Sequence, residues 1–242
     1  MTIQSTQDST RSSGTIRAGG LALVGGAIAF MGVFAYLAAR FNYPDVLDGS
    51  AATVLPALLA TGTSGRIAWA LYAFLPLIWI PAGVGAFHAL RHTGEGVMRL
   101  AMQFAGLTAL AMMLGLMRWP SIHWELATAY VAGSPEQRGV LEAIFLGLNR
   151  YLGNYIGEFL GEMSMSLFFA LTGVAMLRRG SSVPRWVGYF ALVTALAGLI
   201  GMFRNVTDTV AIVADVNNYL LPVFMIVLGV SLLRRPDTLG ST

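Results

Sequence analysis

Two carboxylates, an arginine, two asparagines and two tyrosines stand in the stretch NRYLGNYIGEFLGE, residues 149–162, and the apolar run 163–177 follows it without a break. An ionised side chain inside a bilayer costs roughly 2.5–3.5 kcal/mol even on lenient insertion scales, so it persists where it faces protein, water or a ligand. Arg150, Asn154, Glu158 and Glu162 recur every four residues. On an α-helix that spacing stacks them on one face, with Tyr151 and Tyr155 beside them. Gly153, Gly157 and Gly161 form a doubled small-xxx-small strip, the pattern that lets a neighbouring helix come close. Glu158 and Glu162 are therefore expected to point into helices rather than into lipid.

Charge of the opposite sign is available at the ends of other apolar runs. Arg118 closes the third and Arg204 the fifth, and Arg204 is followed by Asn205 and Asp208. His123 lies just beyond Arg118. The candidate cluster is thus Arg118, His123, Arg150, Asn154, Glu158, Glu162, Arg204, Asn205 and Asp208. Three readings compete for it beside a purely structural salt-bridge network. The first is a polar cavity that binds a small ligand or a partner without chemistry. The second is a proton-coupled transporter or channel that titrates Glu158 and Glu162. It lacks a polar path beyond Glu162, where the helix offers only Ser164, Ser166 and Thr172. The third is a membrane enzyme acting on a lipid-soluble substrate, with His123 or Glu158 as base, and it needs His123 within hydrogen-bond reach of a carboxylate. The residue set is too generic to assign a catalytic group, and the reading leans away from an enzyme.

Other chemistries are restricted by what is missing. The chain has no cysteine, which removes disulfides, thiolate catalysis and cysteine-ligated metals. It has no lysine, so a retinal-type Schiff base cannot form, and its 15 basic residues are all arginine. His88 and His92 have metal-ligand spacing but no evident third ligand, and two histidines on one face of one helix cannot clamp a haem. They are weak candidates, and the expectation is two interfacial histidines and no metal. No phosphate-binding loop, nucleophile elbow or dinucleotide fingerprint occurs. The pI of about 9.5 comes from arginines scattered at the ends of apolar runs, the pattern of a bilayer partner and not of nucleic acid.

Only 11% of the 242 residues are charged and 56% are hydrophobic, with mean hydropathy +0.67. A soluble domain carries about 25% charged residues. The fold class expected is all-α, a polytopic transmembrane helix bundle of about six spans. Residues 1–18 read as a disordered cytoplasmic tail, 19–235 as one transmembrane helical domain and 236–242 as a short tail. The run 19–39 is longer than a signal-peptide core, so it is taken as an uncleaved first span. Residues 51–60, AATVLPALLA, are too short to cross and suit an interfacial helix. Further spans are expected near 66–90, kinked by Pro76 and Pro81, and at 100–117, 186–203 and 219–233. One long helix should run from about 140 to 177.

Six spans put both termini on one side. The tails and the connectors on their side hold Arg11, Arg17, Arg91, Arg99, Arg178, Arg179, Arg185, Arg234 and Arg235, and the other side holds Arg40, Arg66, Arg118, Arg138, Arg150 and Arg204. The positive-inside rule then places both termini in the cytoplasm and opens the cluster outward. The runs LGLMRWP at 114–120, NRYLGNYIGEFLGE at 149–162 and RRGSSVPRWVGYFALVTALAG at 178–198 resemble a family of uncharacterised bacterial multi-pass membrane proteins, a domain of unknown function. The resemblance implies a polytopic protein of the bacterial inner membrane and brings no catalytic residues with it. Ligand identity and oligomeric state stay open.

Overall fold

A computed structural model of the chain describes residues 2–234, apart from the side chains of residues 2–12, 47 and 48. Among the described residues there is no strand. The helices are α1 (Thr2–Phe41), α2 (Ala51–Ala60), α3 (Gly62–Phe74), α4 (Trp79–Leu90), α5 (Glu95–Met117), α6 (Ile122–Ala132), α7 (Pro135–Leu148), α8 (Gly161–Leu177), α9 (Arg185–Gly201) and α10 (Ala211–Leu233). Six stretches are long and apolar enough to cross a membrane: Ser13–Phe41, Gly62–Thr93, Glu95–Ala132, Pro135–Leu177, Arg185–Asn205 and Asp208–Leu233.

The polar N-terminal residues that composition assigns to a disordered tail are continuous with the first span, because α1 begins at Thr2. The tail expected at 236–242 lies outside the described residues. The second span, where a kink is expected, is interrupted: α3 gives way to a 3₁₀ turn over Leu75–Ile78 at Pro76, and α4 resumes at Trp79. Pro76 has no N–H to give to an α-helical bond, so the ladder breaks there. Pro81 sits in the first turn of α4, where a missing donor costs little.

The long helix starts at Pro135 rather than near 140. Ser134 accepts from the Gln137 N–H, the Gln137 side chain accepts from the Ser134 N–H, and Pro135 follows at the first helical position. This capping box, SPEQ, is the local signal that fixes the start. The helix is continuous to Leu177, but its middle is not α-helical. Residues Asn149–Leu160 form a π-helix, with i→i+5 bonds, between α7 and α8. Three glycines in nine residues (153, 157, 161) weaken the α preference there.

The described residues form two compact units, each described by itself. One takes Met1–Ile28, Leu77–Ala109 and Gly161–Thr242, and the other takes Ala29–Pro76 and Leu110–Leu160. In the first unit α8 packs along α9, and α9 along α10. A Cβ added to Gly173 would lie 3.0 Å from both the Gly188 carbonyl and the Ala191 Cβ, so α8 and α9 meet nearly backbone to backbone. Trp79, Phe168, Phe169 and Phe224 pack together in that unit, edge to face except for the tilted Phe168–Phe169 pair, with ring centroids 4.7–6.0 Å apart.

The core of the second unit gathers Leu37, Phe41, Val54, Leu55, Leu58, Trp69, Tyr72, Trp119 and Phe145. The expected short helix at 51–60 is α2. It buries Ala51, Val54, Leu55 and Leu58 and packs against α6, while Ala52, Thr53 and Pro56 stay exposed. At the centre Trp69 and Trp119 stack at 4.8 Å, and Phe41 stands edge-on to both at 5.7 and 5.5 Å.

Candidate functional site

Arg118 follows the last residue of α5, in the second unit, and its side chain turns inward. It is 5% exposed in a core of aromatic and aliphatic side chains. A buried guanidinium has five N–H donors to satisfy and cannot shed its charge. Nε donates to Asn149 Oδ1 at 3.1 Å, and Nη1 donates to the Gly115 carbonyl. The guanidinium carbon lies 5.0 Å from the centroid of the Trp119 ring. Glu158 and Tyr43 interact electrostatically with Arg118, and Glu158 also with Tyr72. Tyr43 and Tyr72 are joined through their hydroxyls at 3.4 Å.

The π-helix supplies the wall of this centre. A Cβ added to Gly153 would overlap the Arg118 guanidinium, so that glycine is the space the arginine occupies. A Cβ on Gly157 would lie 3.0 Å from the Cα of Gly115, which brings the π-helix and α5 into backbone contact. The glycine strip read from sequence is thus used twice, once for a neighbouring helix and once for a side chain.

Burial deepens along the four-residue ladder: Arg150 is exposed, Asn154 and Glu158 are half-buried and Glu162 is buried. The π-helix over Asn149–Leu160 winds more than four residues per turn, so residues four apart within it stay close to one face. Tyr151 and Tyr155 are exposed. Asn149, at the start of the same stretch, is the direct acceptor of Arg118, a role that its uncharged side chain does not announce in the sequence.

His123 sits in the first turn of α6 with no exposed surface. Its ring is edge-on to Trp119 at 4.8 Å and tilted to Phe145 at 4.8 Å. Neither of its ring nitrogens has a hydrogen-bond partner, and the same holds for Nε1 of Trp69 and of Trp119. Three buried rings of one aromatic stack therefore carry unpaired nitrogens. Among the described residues no carboxylate is hydrogen-bonded to His123, which is the condition that the acid–base reading needed.

In the first unit the partners are Glu162 and Arg204. Glu162, in the first turn of α8, accepts from Arg204 Nη1 at 2.7 Å, with side chains 10% and 26% exposed. Arg204 and Asn205 lie in a 3₁₀ turn, Met202–Asn205, that follows α9. Asn205 is half-buried and Asp208 is exposed. Asn217 of α10 is buried with Oδ1 unpartnered. The candidate residues thus fall in both units: Arg118, His123, Arg150, Asn154 and Glu158 in one, Glu162, Arg204, Asn205 and Asp208 in the other.

The two weak metal candidates do not assemble a site. His88 is half-buried, and His92, exposed, donates through Nε2 to the Gly180 carbonyl at 3.0 Å. Among the described residues no group of three His, Cys, Asp or Glu can hold a metal ion.

Six apolar helical spans without a strand among the described residues define a polytopic α-helical membrane protein. The chain belongs to the family described as a domain of unknown function (DUF4386), whose model matches residues 18–234. No curated protein and no solved structure matches the chain.

Proposed function

We propose that this protein binds a small, acceptor-bearing molecule at the Arg118–His123 centre of its second unit, without transforming it. The observation that carries the reading is the set of unpaired nitrogens on His123, Trp69 and Trp119. A buried polar group without a partner costs about 1–3 kcal/mol, and such groups in a well-packed core call for a functional explanation. Two of the three are indole N–H groups, which only donate, and Arg118 beside them only donates. The complementary ligand carries carbonyl or carboxylate oxygens and an apolar body that suits the surrounding rings.

Binding is favoured over acid–base catalysis because His123 has no carboxylate to orient it. It is favoured over proton-coupled transport because Glu162 is held by Arg204 at 2.7 Å. The arginine distribution supports a site that opens on the side away from the termini, in a bacterial inner membrane with both termini cytoplasmic.

The test uses the purified full chain in detergent, with benzoate and duroquinone as probes. At a hundredfold excess over its dissociation constant, a ligand stabilises by about 2.7 kcal/mol, which reads as an upward shift in melting temperature. At least one probe is expected to give that shift in the wild type and to lose it in His123→Phe. A shift that persists in His123→Phe, or no shift with either probe, overturns the reading.

A further inference from the structure

The connector between α8 and α9 has a different chemistry from the aromatic centre, and it lies wholly within the first unit. It reads RRGSSVPR from Arg178 to Arg185. Residues Met176, Leu177, Arg178, Arg179, Gly180, Ser181 and Arg185 line an open cavity of about 550 Å³. Three of those seven carry a full positive charge. None of the three forms an ion pair among the described residues.

The cavity is held in shape rather than left to a mobile loop. Gly180 has φ +85°, a left-handed conformation that suits glycine. Its carbonyl accepts from His92 Nε2 at 3.0 Å, which ties the loop to the 3₁₀ turn Arg91–Thr93 after α4. Arg178 Nη1 donates to the Thr93 carbonyl at 3.1 Å, and its guanidinium fills the space a Cβ on Gly94 would need. Ser181 Oγ accepts from the Val183 N–H at 3.2 Å. Arg178 is thus fixed, while Arg179 and Arg185 are exposed and have no hydrogen-bond partner among the described residues.

The position along the chain says what kind of anion reaches this cavity. The connector joins two candidate spans, Pro135–Leu177 and Arg185–Asn205, so it lies where a bilayer's headgroups are. Trp186 and Tyr189, directly after Arg185, are exposed at 58% and 55%. Exposed aromatic residues at a span end are the mark of the lipid–water interface. A soluble anion site has no use for them. Arginine recognises phosphate oxygens bidentately, and basic pockets between spans take phospholipid headgroups.

From this geometry we infer that the Arg178–Arg185 cavity is a binding site for the phosphate of an anionic phospholipid headgroup, with Arg179 and Arg185 as the engaging groups and Arg178 as the fixed one. The shared chemistry is a phosphate oxyanion, and the commitment is to its lipid-borne source.

The test is native mass spectrometry of the full chain in detergent, titrated with dioleoyl phosphatidylglycerol, with dioleoyl phosphatidylcholine and with inorganic phosphate. Phosphatidylglycerol is expected to bind in preference to both. Arg179→Gln with Arg185→Gln is expected to weaken it about thirtyfold, at about one kilocalorie per mole for each arginine. Arg99→Gln, a charge removed elsewhere in the same unit, is expected to change it less than threefold. Melting temperature measured alongside shows whether the double variant is folded. Should it not be folded, Arg179→Lys with Arg185→Lys keeps the charge, removes the bidentate fork and is expected to weaken binding severalfold. Equal binding of phosphatidylcholine, binding of inorganic phosphate but not lipid, or equal losses in the Arg99→Gln control would each overturn the assignment.

Discussion

The two units solve the problem of a buried arginine differently. In the first, Arg204 is a quarter exposed and meets a carboxylate, Glu162, at 2.7 Å. In the second, Arg118 is nearly enclosed, its nearest hydrogen-bond acceptors are neutral oxygens of Asn149 and Gly115, and it lies against an aromatic ring. A charge paired with its opposite leaves little field for anything else. Arg118 donates to neutral oxygens and feels Glu158 electrostatically, and the unpaired ring nitrogens beside it leave groups for a guest. That contrast is why the binding proposal sits on Arg118 and not on the better-formed ion pair.

The contrast breaks most readily at Glu162. Removing one partner of a buried pair leaves the other charge uncompensated and costs 3–5 kcal/mol, whereas replacing both is close to neutral. Arg204 is partly exposed, so Glu162→Leu is expected to cost about 3 kcal/mol, near the lower end. Glu162→Leu combined with Arg204→Leu should return to within about 1 kcal/mol of wild type. Unfolding free energies in detergent, arranged as a double-mutant cycle, measure this. If the double variant stays as unstable as the single one, the cost of Glu162→Leu does not come from leaving Arg204 uncompensated.

Gly153→Ala comes next. The added methyl overlaps the Arg118 guanidinium, and overpacking of a tight site costs roughly 1–3 kcal/mol. In an Arg118→Ala background the obstacle is gone, and alanine is the better helix former by about 1 kcal/mol. The effect of Gly153→Ala is then expected to change sign. If it destabilises equally in both backgrounds, Gly153 serves the π-helical backbone and not the arginine.

His123→Phe is smaller. The ring keeps its contacts with Trp119 and Phe145 while two unpaired nitrogens disappear. Replacing a buried polar group that has no partner with an apolar one of similar shape is neutral or stabilising. An increase of up to about 1 kcal/mol is expected in unfolding free energy. A loss of several kilocalories per mole would mean that His123 has a structural partner, and the second unit would then be as closed as the first.

Much of this architecture was legible before any coordinates. Hydropathy over about 20 residues finds the spans, because a bilayer imposes that length on any sequence that crosses it. Pro76 announces its own break by lacking a donor. The SPEQ box at 134–137 is equally legible, although the apolar run that follows it starts later. The π-helix was not legible. Its i→i+5 bonds differ from the α-helix by one residue per turn, and no residue type requires that register. The ladder of Arg150, Asn154, Glu158 and Glu162 is little changed by it, since residues four apart stay close to one face at either winding. The role of Asn149 was hidden for a related reason. An uncharged residue becomes significant only once the arginine that uses it is known, and Arg118 is 31 residues away in sequence.

The mildest expected effect gives the comparison its baseline. Arg66 and Glu125, in the second unit, are 3.3 Å apart with side chains 42% and 69% exposed. An ion pair so open to solvent is worth about 0–1 kcal/mol and weakens with salt. Glu125→Ala is expected to change unfolding free energy by less than about 1 kcal/mol, and by less still in half-molar salt. Arg66→Ala should cost more than its partner's removal. Its Nε also donates to the Pro120 carbonyl at 3.0 Å, and its guanidinium carbon lies 5.1 Å from the Trp124 ring centroid. The difference between the two single variants should not depend on salt, because a carbonyl bond and a ring contact are not screened as an ion pair is. Equal losses from both, erased together by salt, would show that Arg66 acts only as a surface charge. The exposed rim would then follow the pattern of Glu162 and Arg204 rather than that of Arg118.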